Sequence, residues 1–214
     1  MFLKKLDEHL LQAINEAGLE KAYELQKKSI SKIKSGADFV CVSDLGTGKS
    51  TAITIGVIQQ LKAELNDVPR AVIVVPEKED AERLKEQFDI LGKHTDLRVN
   101  CVLPVAPRKL NDQRDLIYYG TDVVIGTAKA INDLYSHSGI NLNDLKMLII
   151  DDAEIVMRQN VISQIDRLTE TVLHVQIIQF ANNLSERVYR YADLYQKDPE
   201  ILEFYDEDEE EGEE

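Results

Sequence analysis

Seven short apolar runs, rich in β-branched residues, recur along the chain with helix-period stretches between them. This alternation restricts the fold more than any other feature. The runs are Phe39-Val40-Cys41-Val42, Ala71-Val72-Ile73-Val74-Val75, residues 99–103, Val123-Val124-Ile125, Met147-Leu148-Ile149-Ile150, Val175-Gln176-Ile177-Ile178 and Ile201-Leu202-Glu203-Phe204. A strand that is apolar on both faces needs cover on both, which is the signature of a buried parallel strand. Residues 51–65 and 79–91 carry the intervening helical spacing. Strand–helix alternation predicts the α/β class: a doubly wound, mostly parallel sheet of about seven strands with helices on both faces. Two helices precede it. One has the stripe Leu6, Leu10, Leu11, Ile14 and stops at Gly18; the other has Leu25, Ile30, Ile33 and stops at Gly36. The expected division is a helical region over 1–36 packed on the core, an α/β domain over 37–205, and a tail over 206–214.

Composition supports one domain with a real core. Of 214 residues, 43% are hydrophobic and 30% charged, which excludes wholesale disorder. No apolar run reaches the roughly 18 residues of a membrane span, and the N-terminus lacks a signal-peptide core, so no membrane partner is expected. Cys41 and Cys101 both fall in apolar runs and read as buried free thiols, which fits a reducing cytoplasm. His9, His94, His137 and His174 show no ligand spacing, so no metal cage is expected. The net charge is −14; eight of the negatives lie in residues 206–214, leaving −6 on the body. An acidic body works against strong sequence-independent binding to nucleic acid. The tail reads as a disordered, solubilising end.

The segment Ser43-Asp44-Leu45-Gly46-Thr47-Gly48-Lys49-Ser50 follows a strand and opens a helix. That placement suits a phosphate loop. Gly46 and Gly48 let backbone N–H groups approach an anion, the helix N-terminus faces it, Lys49 reaches the β/γ oxygens, and the Ser50 hydroxyl ligates Mg²⁺. Ser43 stands where a glycine or alanine is usual. Further on, the run Met147–Ile150 ends in Asp151-Asp152, which sets an acid at the mouth of the sheet, where Mg²⁺ needs an oxygen ligand.

With these pieces in order, residues 2–204 resemble the N-terminal RecA-like domain of DEAD-box RNA helicases. Gly18-Leu19-Glu20-Lys21-Ala22-Tyr23-Glu24-Leu25-Gln26 is similar to the family's Q motif, Gly36-Ala37-Asp38 and Val124-Ile125-Gly126-Thr127 are in register, and Asp151-Asp152-Ala153-Glu154 fills the slot of the Asp-Glu-Ala-Asp box. The resemblance implies ATP or ADP and Mg²⁺ as ligands. Gln26 would read the adenine edge, Phe2, one position off the family's stacking aromatic, would stack on it, and Gly46, Thr47, Gly48, Lys49 and Ser50 would cradle phosphate. Ser50 and Asp151 would hold the metal, Asp152 would orient the attacking water, and Glu154 would complete the catalytic box.

Departures from the family pattern accumulate. Asp152 is one methylene shorter than the family's glutamate, and an ångström of lost reach can cost about a hundredfold in rate. Glu154 is longer than the family's aspartate. The Ser-Ala-Thr triplet reads Phe180-Ala181-Asn182, so both hydroxyls that would bond that acid are gone. The RNA-facing Pro-Thr-Arg-Glu-Leu motif appears as Pro76-Glu77-Lys78-Glu79-Asp80, and Thr-Pro-Gly-Arg as Thr127-Ala128-Lys129-Ala130. The family's Gly-Gly pair is absent near Pro104-Val105. Tyr191 and Tyr195, at helical spacing, read as packing residues.

The expected function is therefore an ATP-binding domain linked to RNA remodelling, with weak or no hydrolysis alone, weak contact with single-stranded RNA, and a partner protein that supplies a second RecA-like domain. Two such domains need roughly 350 residues. The alternative is a catalytically degenerate pseudo-helicase that serves as an interaction module in a ribonucleoprotein or helicase complex. A small-molecule phosphotransferase is disfavoured by the Q-motif register.

Overall fold

Parallel strands with both faces covered account for five of the apolar runs; those at 99–102 and 200–204 lie at the two edges of the sheet and are only partly covered, against the expectation of buried strands. The computed structural model describes residues 6–19, 21–62, 68–106, 109–170, 172 and 174–205. The strands are β1 (Phe39–Ser43), β2 (Ala71–Val74), β3 (Val99–Val102), β4 (Val123–Gly126), β5 (Met147–Ile150), β6 (Gln176–Ala181) and β7 (Glu200–Phe204). They form one sheet in the order β3-β4-β2-β5-β6-β1-β7, with every neighbouring pair parallel.

The helices are α1 (Glu8–Glu16), α2 (Glu24–Ser35), α3 (Lys49–Leu61), α4 (Lys78–Leu91), α5 (Leu110–Tyr118), α6 (Ala128–Ser136), α7 (Ala153–Arg158), α8 (Ile162–Thr169) and α9 (Glu186–Tyr195). Alternate strand residues serve two separate cores. Phe39, Cys41, Ile73, Ile125, Ile149, Ile178 and Phe180 pack with α1 to α4. Val40, Val42, Val72, Val74, Val124, Leu148 and Ile150 pack with the helices of the other face. The doubly wound expectation holds, and the sheet is wholly parallel among the described residues.

Local chemistry fixes the elements. Helix α2 starts at Tyr23, whose backbone N–H donates to Gln26 Oε1 at 3.0 Å, and stops at Gly36 in the left-handed region. Gly56 of α3 faces Ile33 so closely that any Cβ there would strike the Ile33 side chain. Asp38 straps β1 to its neighbours, accepting from Ile177 N at 2.8 Å and Lys197 N at 2.7 Å.

Several bounds differ from the sequence reading. Helix α3 ends at Leu61, because Lys62 leaves helical space at φ 58°, and residues 63–65 of the expected stretch lie outside the described residues. Strand β6 runs on to Ala181, since β1 still offers it a partner there, Val42. Cys41 is buried but Cys101 is only half-buried. Tyr191 is buried as a packing residue, whereas Tyr195 is exposed. Phe2 and the tail over 206–214 lie outside the described residues.

This topology positions the site. β6 lies between β5 and β1, and the strand ends are nearly flush: Val42 pairs with Ala181, and Ile150 with Gln179. The loops leaving β1, β5 and β6 therefore meet at one carboxyl-end edge.

Candidate functional site

The loop after β1 turns through two left-handed glycines, Gly46 (φ 81°) and Gly48 (φ 87°). Gly48 is the N-cap of α3 and no side chain caps that helix, so the first-turn N–H groups face outward as anion donors. Ser43, the departure at the head of the loop, is buried and acts as a brace. Thr47 Oγ1 donates to Asp44 O at 2.8 Å, so Ser43 Oγ donates to Thr47 Oγ1 at 2.9 Å. Leu45, between the brace and the first glycine, is 79% exposed.

Lys49 is 7% exposed. Its ammonium donates to Ser43 O at 2.8 Å, Asp44 O at 2.9 Å and Asn182 Oδ1 at 2.5 Å. An ammonium has three protons, and all three are engaged.

The acids after β5 share this edge. Asp152 takes a left-handed conformation, φ 45° and ψ 51°, which an aspartate tolerates and which turns the chain sharply into α7. Asp152 N donates to Asp151 Oδ1 at 3.1 Å. Burial, then the charge on Asp152, pushes the Asp151 carboxyl up to about 7. Burial, then Glu154, also raises Asp152, while Lys49 pulls both acids down. A desolvated carboxylate next to a second acid favours a cation. Among the described residues no cluster of three or more His, Cys, Asp or Glu forms a protein-only cage. That donor set suits Mg²⁺, which binds through one or two protein oxygens together with phosphates and water.

Glu154 is 4% exposed, and both its oxygens accept from Asn182: Oε2 from the backbone N at 3.1 Å and Oε1 from Nδ2 at 2.8 Å. The loss of both triplet hydroxyls is thus compensated. A longer acid meets an amide, and the link between the acidic box and the end of β6 survives. Sequence reading treated Asn182 as a loss; its capacity to donate and accept at once was the available signal.

Gln26 packs against the phosphate loop. A Cβ on Gly48 would lie 2.5 Å from Gln26 Nε2 and 3.6 Å from the Tyr23 ring. Gln26, Tyr23, Gly18, Ile14, Thr51 and Ile55 line a cavity of about 290 Å³. A planar, mostly apolar ligand with a polar edge fits that lining.

The rim beyond β2 and β4 is self-satisfied. Glu77 caps α4 with Asp80, Lys78 pairs with Glu82 at 3.3 Å, and Arg83 pairs with Asp80 at 2.6 Å. Thr127 caps α6, its hydroxyl accepting from Ala130 N, and Lys129 is exposed.

The structure therefore brings together Gly46, Thr47, Gly48, Lys49, Asp151, Asp152 and Glu154, adds Asn182 and Ser43, and sets Gln26 against Gly48; Ser50 follows Lys49 in the first turn of α3. Comparisons with known proteins point the same way. A family model described as DEAD/DEAH box helicase matches residues 23–190. Eukaryotic initiation factor 4A of Caenorhabditis elegans is 25% identical over 196 residues, covering 91% of this chain and 48% of that protein. ATP-dependent RNA helicase DHH1 of Scheffersomyces stipitis is 30% identical over 165 residues, covering 77% of this chain and 32% of its own length. The chain thus spans about half or less of these relatives. The crystal structure of a DEAD box protein from Methanococcus jannaschii superposes with a TM-score of 0.84 at 21% identity, over 93% of this chain and 54% of that one.

Proposed function

The chain belongs to the DEAD/DEAH box helicase family, matching its N-terminal domain, and from that premise we propose that it binds ATP or ADP with Mg²⁺ and hydrolyses weakly or not at all alone. In this reading it contributes to RNA remodelling when a partner supplies a second RecA-like domain. The observation that carries it is the meeting of an uncapped α3 N-terminus, Lys49 and Asp151 at one edge of one sheet.

Each residue has a task that its position supports. The first-turn N–H groups of α3, with Gly46, Thr47 and Gly48, hold phosphate oxygens, and Lys49 adds a charged donor. Ser50 and Asp151 would hold Mg²⁺, which neutralises charge developing on the phosphates. Asp152 would hold a water, from a shorter reach than the family's glutamate. Glu154 acts by holding Asn182. Gln26 reads the purine edge in the cavity it lines, and Phe2 is assigned to the same ligand. The proposed division, helical region 1–36 with domain 37–205 and tail 206–214, gains support from α1 and α2 sharing one core with α3 and α4. A cytoplasmic setting belongs to the same proposal. Among the described residues no helix is long and apolar enough to cross a membrane.

One observation favours the alternative of a non-catalytic interaction module. The rim that would face RNA spends Lys78 and Arg83 on its own acids, leaving little charge for a phosphate backbone. Phosphate release with and without single-stranded RNA separates the readings. Slow turnover with slight RNA stimulation supports the first; nucleotide binding with no turnover alone fits either, and is decided by supplying a second RecA-like domain, where continued absence of RNA-stimulated turnover favours the second. Robust RNA-stimulated turnover by this chain alone would overturn both.

A further inference from the structure

The bond between Lys49 and Asn182 has no counterpart in what the phosphate loop needs to hold an anion. Of the three acceptors on the Lys49 ammonium, two are carbonyls of the loop itself, Ser43 O and Asp44 O, and move with it. The third, Asn182 Oδ1, belongs to the far side of the strand junction. Its aim is not free. Asn182 Nδ2 is committed to Glu154 Oε1 and the backbone N to Glu154 Oε2, so the amide oxygen must point away from the acid, towards the lysine. A cation, an amide and an anion thus run in line across the ends of β1, β6 and β5. A partly buried chain of this kind is strengthened by the charges at its two ends.

We infer that Asn182 is a positioning residue that holds Lys49 withdrawn while the loop is free of nucleotide. Lys49 has no spare proton, so it reaches a phosphate only by releasing an acceptor, and Asn182 is the one outside the loop. Nucleotide binding is therefore linked to breaking this bond. The release frees Asn182 Oδ1, and through Nδ2 the change reaches Glu154 in the acidic box. Apparent affinity is lowered by whatever the latch contributes to the free state. This inference rests on the nucleotide-binding reading and assigns it a built-in resistance.

The test uses the full chain with ATP–Mg²⁺ as probe, as wild type, Asn182→Ala and Lys49→Ala, with lysine-specific ¹⁵N labelling. Wild type without nucleotide should show a slowly exchanging ammonium resonance that is absent from Lys49→Ala and lost or broadened in Asn182→Ala. Titration should give Asn182→Ala a tighter affinity, by about tenfold for one charged hydrogen bond; a merely structural role would loosen it. Glu154→Gln keeps the packing but frees the amide to turn, and should shift affinity the same way by less, which preserves the test if Asn182→Ala fails to fold. Unchanged or weaker affinity in folded Asn182→Ala, with binding lost in Lys49→Ala, overturns the latch and leaves nucleotide binding standing. Lys49→Ala binding as wild type does overturns both.

Discussion

Glu154 and Asn182 close a two-point contact across 28 residues of sequence, with the acid accepting from the side-chain amide at 2.8 Å and from the backbone N–H at 3.1 Å. The residues depart from the family pattern together, and the departures fit each other. A double-mutant cycle on Glu154→Ala and Asn182→Ala, read by urea unfolding, should return a coupling of about 1–2 kcal/mol. A coupling near zero would mean that the contact adds nothing to the fold.

Gly48 carries two constraints at once, a left-handed backbone and the closeness of Gln26. Gly48→Ala should cost about 1–3 kcal/mol in urea unfolding. Gly18→Ala makes a clean control, since Gly18 has φ 70° but open space around it. It should cost about 1 kcal/mol. Equal losses at the two sites would show that Gln26 does not press on the loop.

How much of this was legible in the chain follows from what each feature depends on. The inner strands were, because burial on both faces writes itself as unbroken apolar runs; Met147–Ile150 was read to the residue. Lys49 and Asp151 were legible as a pair because each follows such a run, Asp151 directly and Lys49 across the glycine loop. The Lys49–Asn182–Glu154 line was not. It depends on β6 lying between β1 and β5, a pairing order that no local pattern encodes. The break at Lys62 was not legible either, since apolar spacing continues past Leu61 while the backbone turns there. The altered residues of the rim were visible in the chain, but the pairing of Lys78 with Glu82 needed coordinates.

Away from the site, Arg70 and Asp122 form a buried ion pair. Asp122 Oδ1 accepts from Arg70 Nε at 3.2 Å and Nη2 at 2.6 Å, and Oδ2 accepts from Arg98 N at 3.0 Å. Asp122→Ala removes the carboxylate that faces the buried Arg70 guanidinium and should cost about 3–5 kcal/mol. A loss below about 1 kcal/mol in thermal or urea unfolding would contradict the assignment of this pair as a structural tie between β2 and β4.

Asp151 makes stability depend on pH. Its folded value is raised from 3.8 to about 7, so the folded state holds this proton more tightly than the unfolded state does. The resulting contribution is complete below about pH 4 and is lost as pH rises through about 7. Without nucleotide or Mg²⁺, Asp151→Asn should therefore be more stable than wild type at pH 8, by on the order of 3 kcal/mol, and the difference should shrink towards pH 5. Melting temperatures of both proteins across that range check it. Parallel pH curves for the two would show that Asp151 titrates as an ordinary exposed acid.

The central claim is that Lys49 donates to a nucleotide phosphate at the end of α3. Calorimetric titration of the full chain with ATP–Mg²⁺, for wild type against Lys49→Ala, tests it most directly. A saturable isotherm for wild type, weakened by at least about tenfold in Lys49→Ala, is the predicted result. Superimposable isotherms from the two proteins would contradict it.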